Sequence, residues 1–331
     1  MGVERARHRT LRGRGRRPHG PAAACPPEPA DGRAIFVGFN ALGDTLCTTP
    51  AIRAYRRLHP DAHVTYIVQS ASFTRVLDGN PDIDLLIYSE FLSRHGMNRF
   101  SVEWVYQQPL DFTRGATLYH FDMNQVCTTW EAFEQHIAKG LSALVRIPIS
   151  SVRPVVHVTD QERAVAATVA GRPYAVLSMH SNANPCRKDG EGRAKEWPLE
   201  RFEAVCRHLR QRGIEDIIAI GSEFDERHAS PWWRNLYGLP IKVVAALLEG
   251  ASLVVTLENG IGHLAHGVDA PMVMIYSNIV PRGWANPAEA SRCEVLYDDP
   301  RRTTVDAVIA AADRVLRRPR RRRAPLAGTS R

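Results

Sequence analysis

Short apolar runs, each followed by a stretch with apolar residues at helical spacing, recur along this chain, and the alternation restarts after a break near its middle. Continuous apolar runs mark strands buried on both faces, and the helical stretches between them are the crossovers that parallel strands need. The pattern predicts an α/β fold. Strands are expected at residues 34–39, 63–68, 84–88 and 118–122, with helices over 46–58 and 131–144. Pro148, Pro154 and a β-rich stretch at 155–158 interrupt the series, and 160–170 reads as a helix again, which puts a junction near residues 148–160. Beyond it, strands at 174–179, 216–220, 253–257 and 272–276 alternate with helices at 199–212, 242–248, 261–268 and 303–316. Two such units describe a pair of Rossmann-like domains, residues 34–152 and 153–316, whose parallel sheets face a central cleft.

The charge balance needs to be read by position. The chain has 43 Lys+Arg against 35 Asp+Glu, a formal +8 that suggests an anionic partner. Residues 1–33 hold eight Arg against Glu4, Glu28 and Asp31, and residues 317–331 hold seven Arg and no acid. The 34–316 stretch is therefore slightly acidic, which argues against a nucleic-acid platform. Both ends lack hydrophobic periodicity and are expected to be disordered basic tails, with peripheral contact to an anionic membrane as one use for them. Six cysteines without a C-x-x-C pair fit a reducing compartment. With no apolar run of about 18 residues and no signal-peptide core, a cytoplasmic protein is expected.

Three turns at strand ends carry the chemistry. The first, Asn40 to Leu46, is neither G-x-G-x-x-G nor a P-loop, but it places the carboxylate of Asp44 at a helix start on the sheet's rim. Asp44 there reads either as an N-cap or as a general base facing the cleft. The second, Arg193 to Pro198, combines a packed Trp197 and a helix-opening Pro198 with Lys195, one of only four lysines in the chain and a compact charge suited to phosphate. The third, Glu258-Asn259-Gly260-Ile261-Gly262-His263-Leu264-Ala265-His266, joins a strand to a helix through two glycines, a geometry that offers backbone amides to a diphosphate. His263 there is either a core histidine or a donor to phosphate or ribose. Glu223, after the 216–220 strand, is a solvated rim residue or a nucleoside contact. His120, Asp122, Glu131 and His136 lack metal-ligand spacing, so no metal is expected.

Taken in order, these motifs resemble glycosyltransferase family 9, the ADP-heptose:acceptor heptosyltransferases, over residues 34–316. The likeness rests on Leu42-Gly43-Asp44-Thr45 with Thr49-Pro50, on Lys195 with Trp197-Pro198, and on Glu258 to Ala265. It implies a GT-B fold and an inverting, metal-independent transfer of a sugar, heptose by family, from a nucleotide-diphosphate donor to an acceptor hydroxyl, with no cofactor. Asp44 would be the base and Lys195 would stabilise the leaving diphosphate. Ser178, Lys195, Glu258, Asn259, Gly260, Ile261, Gly262 and His263 would form the donor side, and Asn40, Gly43 and Asp122 the acceptor side. Members carry Asp followed by Ser or Thr where this chain has Glu258-Asn259, so the donor may not be inferred from the family alone: an ADP-linked sugar is expected first, and the acceptor is a cell-envelope glycan or a small natural product. Other readings are a different GT-B enzyme, such as a nucleotide-sugar epimerase, and a non-catalytic module binding anions through its Arg-rich tails.

Overall fold

A computed structural model describes residues 32–38, 41–68, 74–88, 115–128, 135–171, 173–181, 195–279, 281–287 and 292–319. Residues 1–31 and 320–331 of the expected basic tails, Asn40 and residues 131–134 of the expected 131–144 helix lie outside the described residues, whereas Arg33, expected in one tail, opens a strand and Arg317, expected in the other, closes a helix.

The run Ala34 to Val37 is buried because both faces of strand β1 (Arg33–Gly38) are covered, Ala34 and Phe36 lying in the main core and Ile35 and Val37 packing with Ile67 on the other side. It pairs in parallel with β2 (His63–Val68) and β4 (Thr117–His120), and β2 pairs with β3 (Leu85–Tyr88), giving the order β3-β2-β1-β4. The second sheet is also all parallel. Its strands are β5 (Tyr174–Ser178), β6 (Asp216–Gly221), β7 (Arg234–Tyr237), β8 (Leu253–Leu257), β9 (Met272–Ser277) and β10 (Cys293–Asp298), in the order β10-β9-β8-β5-β6-β7. Each sheet reverses its winding beside its first strand, between β1 and β4 in one and between β5 and β8 in the other. Outside the carboxyl ends of strands at such a reversal is where open α/β sheets bind ligands.

The helices are α1 (Leu42–Leu58), α2 (Met123–Thr128), α3 (Ile137–Leu144), α4 (Asp160–Val169), α5 (Leu199–Gln211), α6 (Ile241–Gly250), α7 (Gly260–Gly267) and α8 (Val305–Arg317). Most lie within a few residues of the expected ranges, and the departures have physical reasons. Helix α1 starts four residues before the expected 46, so Gly43 and Asp44 belong to its first turn. It runs through Pro50, which lacks the N–H that would bond the Leu46 carbonyl; Thr49 Oγ1 donates to that oxygen at 2.6 Å instead. The β-rich 155–158 stretch forms no strand, since its valines cover α1 and α7 as part of an extended connector. Strands β7 and β10 were not expected because they are partly exposed edge strands without a continuous apolar run. The two-turn α2 was not expected either; Asp122 Oδ1 accepts from the Gln125 amide at its start.

One apolar cluster runs through both sheets, from Phe36 and Tyr66 to Val176 and Val254, while a second covers the far face of the six-stranded sheet around Phe202, Leu209 and Val308. The joint between the sheets is the contact of α1 with α7. A Cβ on Gly43 would stand 2.7 Å from Cδ2 of His263 and 3.5 Å from the Cα of Gly260, and one on Gly260 would meet Leu42 at 3.1 Å. His263 Nδ1 lies 3.3 Å from Cys47 Sγ, and its ring meets His136 edge-on at 6.5 Å. Burial, reinforced by neighbouring charges, pushes the pKa of His136, His263 and His266 down to about 3, so this joint is filled by neutral rings at pH 7. Polar ties flank it. Thr49 Oγ1 accepts from the Val155 amide at 2.7 Å, and Lys242 on α6 reaches the Asp78 carbonyl at 2.8 Å and Glu162 at 3.1 Å.

Gly43→Ala should therefore destabilise the protein by about 1–3 kcal/mol, the usual cost of overpacking. Gly262→Ala should cost less, because its new methyl meets the movable Met274 Cε at 2.6 Å rather than a buried ring. Thermal or denaturant unfolding of both variants checks this; an undiminished stability for Gly43→Ala would contradict the close approach of the two helices.

Candidate functional site

Both winding reversals open onto the same place, where the turn after β1 meets the turn after β8. On the first side, Ala41 is the N-cap of α1 and has no side chain able to cap. Asp44 is thus not the N-cap; it is the third helical residue, and its carboxylate takes the Ala41 backbone N–H. That is the acidic half of a capping box. Asp44 keeps some exposure, yet burial raises its pKa to about 6 against the lowering effect of the Ala41 hydrogen bond, with Glu258 raising it further and Lys195 lowering it. A carboxylate with a pKa near neutrality is suited to taking a proton.

On the second side, Lys195 stands in the turn ahead of α5 and forms an ion pair with Glu258, their side chains only 13% and 7% exposed. Burial raises the Glu258 carboxyl above its ordinary range although Lys195 opposes the shift. The segment is anchored as expected by Trp197, whose Nε1 donates to the Thr303 carbonyl at 2.9 Å and whose ring packs edge-on against Phe202. Lys195, read from the sequence as a compact charge suited to phosphate, is one half of a buried pair.

Asn259 is the N-cap of α7. Its Oδ1 accepts from the Gly262 amide at 3.0 Å, while Nδ2 donates to Ser178 Oγ at 2.9 Å and to the His180 carbonyl at 2.8 Å. Asn259 and Ser178, both expected on the donor side, thus hydrogen-bond to each other and pin the start of α7 to the end of β5. The amides of Gly260 and Ile261 precede that capped position, and α7 has no acidic residue in its first turn, so its positive end is not neutralised there by a residue of its own. Gly260 and Gly262 are needed for packing on Leu42 and Met274. His263 occupies the alternative its sequence context left open: it is a buried ring between α7 and α1.

Of the acceptor-side expectations, Asn40 lies outside the described residues, Gly43 is taken up by contact with His263, and Asp122 follows β4, the neighbour of β1 on the same rim. Glu223 is exposed. Beside it the rim carries a group the sequence did not single out. His180 Nε2 is 2.9 Å from Tyr237 Oη, the His180 ring stacks on His228 at 5.5 Å, and Phe224 is 89% exposed. These residues come together only because β7 pairs with β6, and β7 was the strand that the pattern missed. Among the described residues no group of three or more His, Cys, Asp or Glu side chains is arranged to hold a metal ion, and no helix is long and apolar enough to cross a membrane.

The fold is similar to that of several solved structures. A glycosyltransferase family 9 protein from Veillonella parvula matches over 89% of this chain and 99% of its own, with 17% identity and a TM-score of 0.65. The Escherichia coli heptosyltransferase WaaC, solved with ADP, matches over 86% of this chain and 99% of its own at 17% identity and a TM-score of 0.59. TibC, an iron-containing dodecameric glycosyltransferase of enterotoxigenic E. coli, matches over 86% and 76% at 17% identity and a TM-score of 0.56. A sequence search of curated proteins finds no match. The arrangement is the expected GT-B fold. The profile of glycosyltransferase family 9 (heptosyltransferase) matches residues 93–305, well over half of the chain. This chain belongs to glycosyltransferase family 9 and is a glycosyltransferase that uses a nucleotide sugar.

Proposed function

We propose that this enzyme transfers a heptose-type sugar from an ADP-linked donor to an acceptor hydroxyl in one inverting displacement, with Asp44 as the base. The observation that carries the reading is the meeting of a carboxylate poised near pH 6 on one sheet with a buried Lys195–Glu258 pair and an open helix start on the other. The acceptor hydroxyl loses its proton to Asp44 as its oxygen bonds to the anomeric carbon. The bond from that carbon to the diphosphate breaks on the opposite face, which inverts the centre. The leaving nucleoside diphosphate carries the negative charge that develops, and the amides of Gly260 and Ile261, with Lys195, stabilise it.

The remaining residues divide by position. Glu258 holds Lys195 in place, Asn259 and Ser178 hold the α7 start, and Gly262 lets that helix sit close on Met274. His263 belongs to the joint rather than to the phosphates, because its ring is taken up by Cys47 and Gly43. Residues 34–152 are read as the acceptor half, contributing Asp44 and Asp122, and residues 153–316 as the donor half. Glu223, Phe224, His180 and Tyr237 on the donor rim suit a nucleoside, since an exposed ring stacks on a base and an acid pairs with ribose hydroxyls. Binding of ADP to WaaC supports an adenosine donor. A cell-envelope glycan or a small natural product is the acceptor, and the reaction is placed in the cytoplasm. The chemistry assigned to these residues requires no metal or cofactor.

Asp44→Asn should leave folding and ADP binding unchanged while lowering turnover by about a hundredfold or more, the scale of losing a general base; unchanged turnover removes Asp44 from the mechanism. Lys195→Ala should weaken ADP binding by about 1.5–3 kcal/mol, roughly ten- to a hundredfold in Kd, measured by calorimetry. An unaltered affinity would discard its phosphate role. Because the base acts ionised, kcat/KM should fall about tenfold per unit as pH drops below about 6. Glu258→Gln removes a like charge that raises the Asp44 pKa, so this acid limb should move to lower pH. A limb that stays in place or moves up would separate Glu258 from Asp44.

A further inference from the structure

A cavity of ≈ 450 Å³ opens against the connector, at the end of α1 remote from Asp44. Arg53, on its wall, is nine residues along α1 from Asp44, or about 13 Å at the helical rise. The cavity is bounded by α1, by the connector from Ile149 to Val158, by Arg163 of α4 and by Gly267, the last residue of α7. Its volume is within the range of small-molecule sites.

The chemistry of the lining is one-sided. Arg53, Arg57, Arg153 and Arg163 all line it, and among the described residues no carboxylate does. Three of these side chains are held by neighbouring groups, Arg153 by Gly267 of the wall itself and Arg53 and Arg163 by carboxylates behind the lining. Arg53 Nε donates to Asp82 at 2.9 Å and its Nη2 lies 3.3 Å from His157 Nε2; Arg153 gives Nε and Nη2 to the Gly267 carbonyl at 3.2 Å each, with Nη1 3.8 Å from Asp269; and Arg163 donates to Glu249 from Nε at 2.7 Å and Nη2 at 3.4 Å and to Asp160 from Nη1 at 2.8 Å. Each guanidinium has five N–H donors, so these anchors leave some on every one. Arg57 is exposed and has no hydrogen-bonding or ionic partner among the described residues. His157, also in the lining, is kept neutral by burial and by Arg53, with Asp82 opposing and Lys242 adding to the effect. Ala54, Pro154 and Val156 supply apolar surface beside the charges. Pre-positioned guanidinium forks recognise phosphate oxygens, and the apolar wall calls for an organic body on the same ligand.

We infer that this cavity is a second ligand site, separate from the donor site, that binds the phosphate monoester of a small organic molecule. Its walls are the far ends of α1 and α7, the two helices whose first turns carry Asp44 and Gly260, so a ligand there spans the joint between the sheets. The inference does not depend on the catalytic roles given above.

The test is calorimetric titration of the full chain, first saturated with ADP, with phenyl phosphate and separately with inorganic phosphate. One equivalent of phenyl phosphate should bind in the presence of ADP, more tightly than inorganic phosphate does. Arg57→Glu, a change at an exposed position, should weaken it tenfold or more, and Asp44→Asn should leave it unaltered. The site is overturned if ADP abolishes the binding, if no binding is seen, or if Arg57→Glu has no effect. Inorganic phosphate binding as tightly as the ester would overturn the organic ligand. Failure of the Asp44→Asn turnover prediction would leave all these outcomes untouched, so the two readings fail separately.

Discussion

The first turns of α1 and α7 touch because each sets a glycine against a side chain of the other. With Gly43 facing His263 and Gly260 facing Leu42, the ends of β1 and β8 are brought to one place, and the chemistry of the molecule is a consequence of that approach. Asp44 is the residue after Gly43, and Glu258 lies two before Gly260. A methyl at Gly43 would separate the turns by pressing on a buried imidazole, and the coupling of Asp44 to Glu258 and Lys195 would weaken with distance.

The two helix starts at this joint are used differently. The positive end of α1 is satisfied internally, by the carboxylate of its own Asp44. The positive end of α7 has no acid in its first turn, and its cap, Asn259, is neutral and points its amide nitrogen back into β5 and the residue beyond it. An anion is therefore favoured at α7 and not at α1, which agrees with a donor diphosphate on one side and a base on the other. Burial adds to this arrangement. It raises Asp44 toward neutrality and keeps His136, His263 and His266 uncharged where the two helices meet. A hinge lined by neutral rings and glycines also suits two sheets that close on a substrate.

What the sequence by itself determined is the architecture and the family. Apolar runs such as Ala34 to Val37 and Leu253 to Leu257 are legible because a strand buried on both faces has no polar alternative. The loops after those strands then had to carry Asp44 and the Glu258 to His263 turn, and the family resemblance read from them is confirmed by the profile match. Partly exposed edge strands such as β7 left no such trace, and the rim group of His180 and Tyr237 was invisible with it. Only the tertiary structure decided what each residue's partner is. Asn259 turned out to hold Ser178, Lys195 to hold Glu258, and His263 to fill the joint, because hydrogen bonds and ion pairs between residues 63 to 216 positions apart depend on how two sheets meet. Local periodicity carries no record of that meeting, whereas burial and distance in the folded chain settle it.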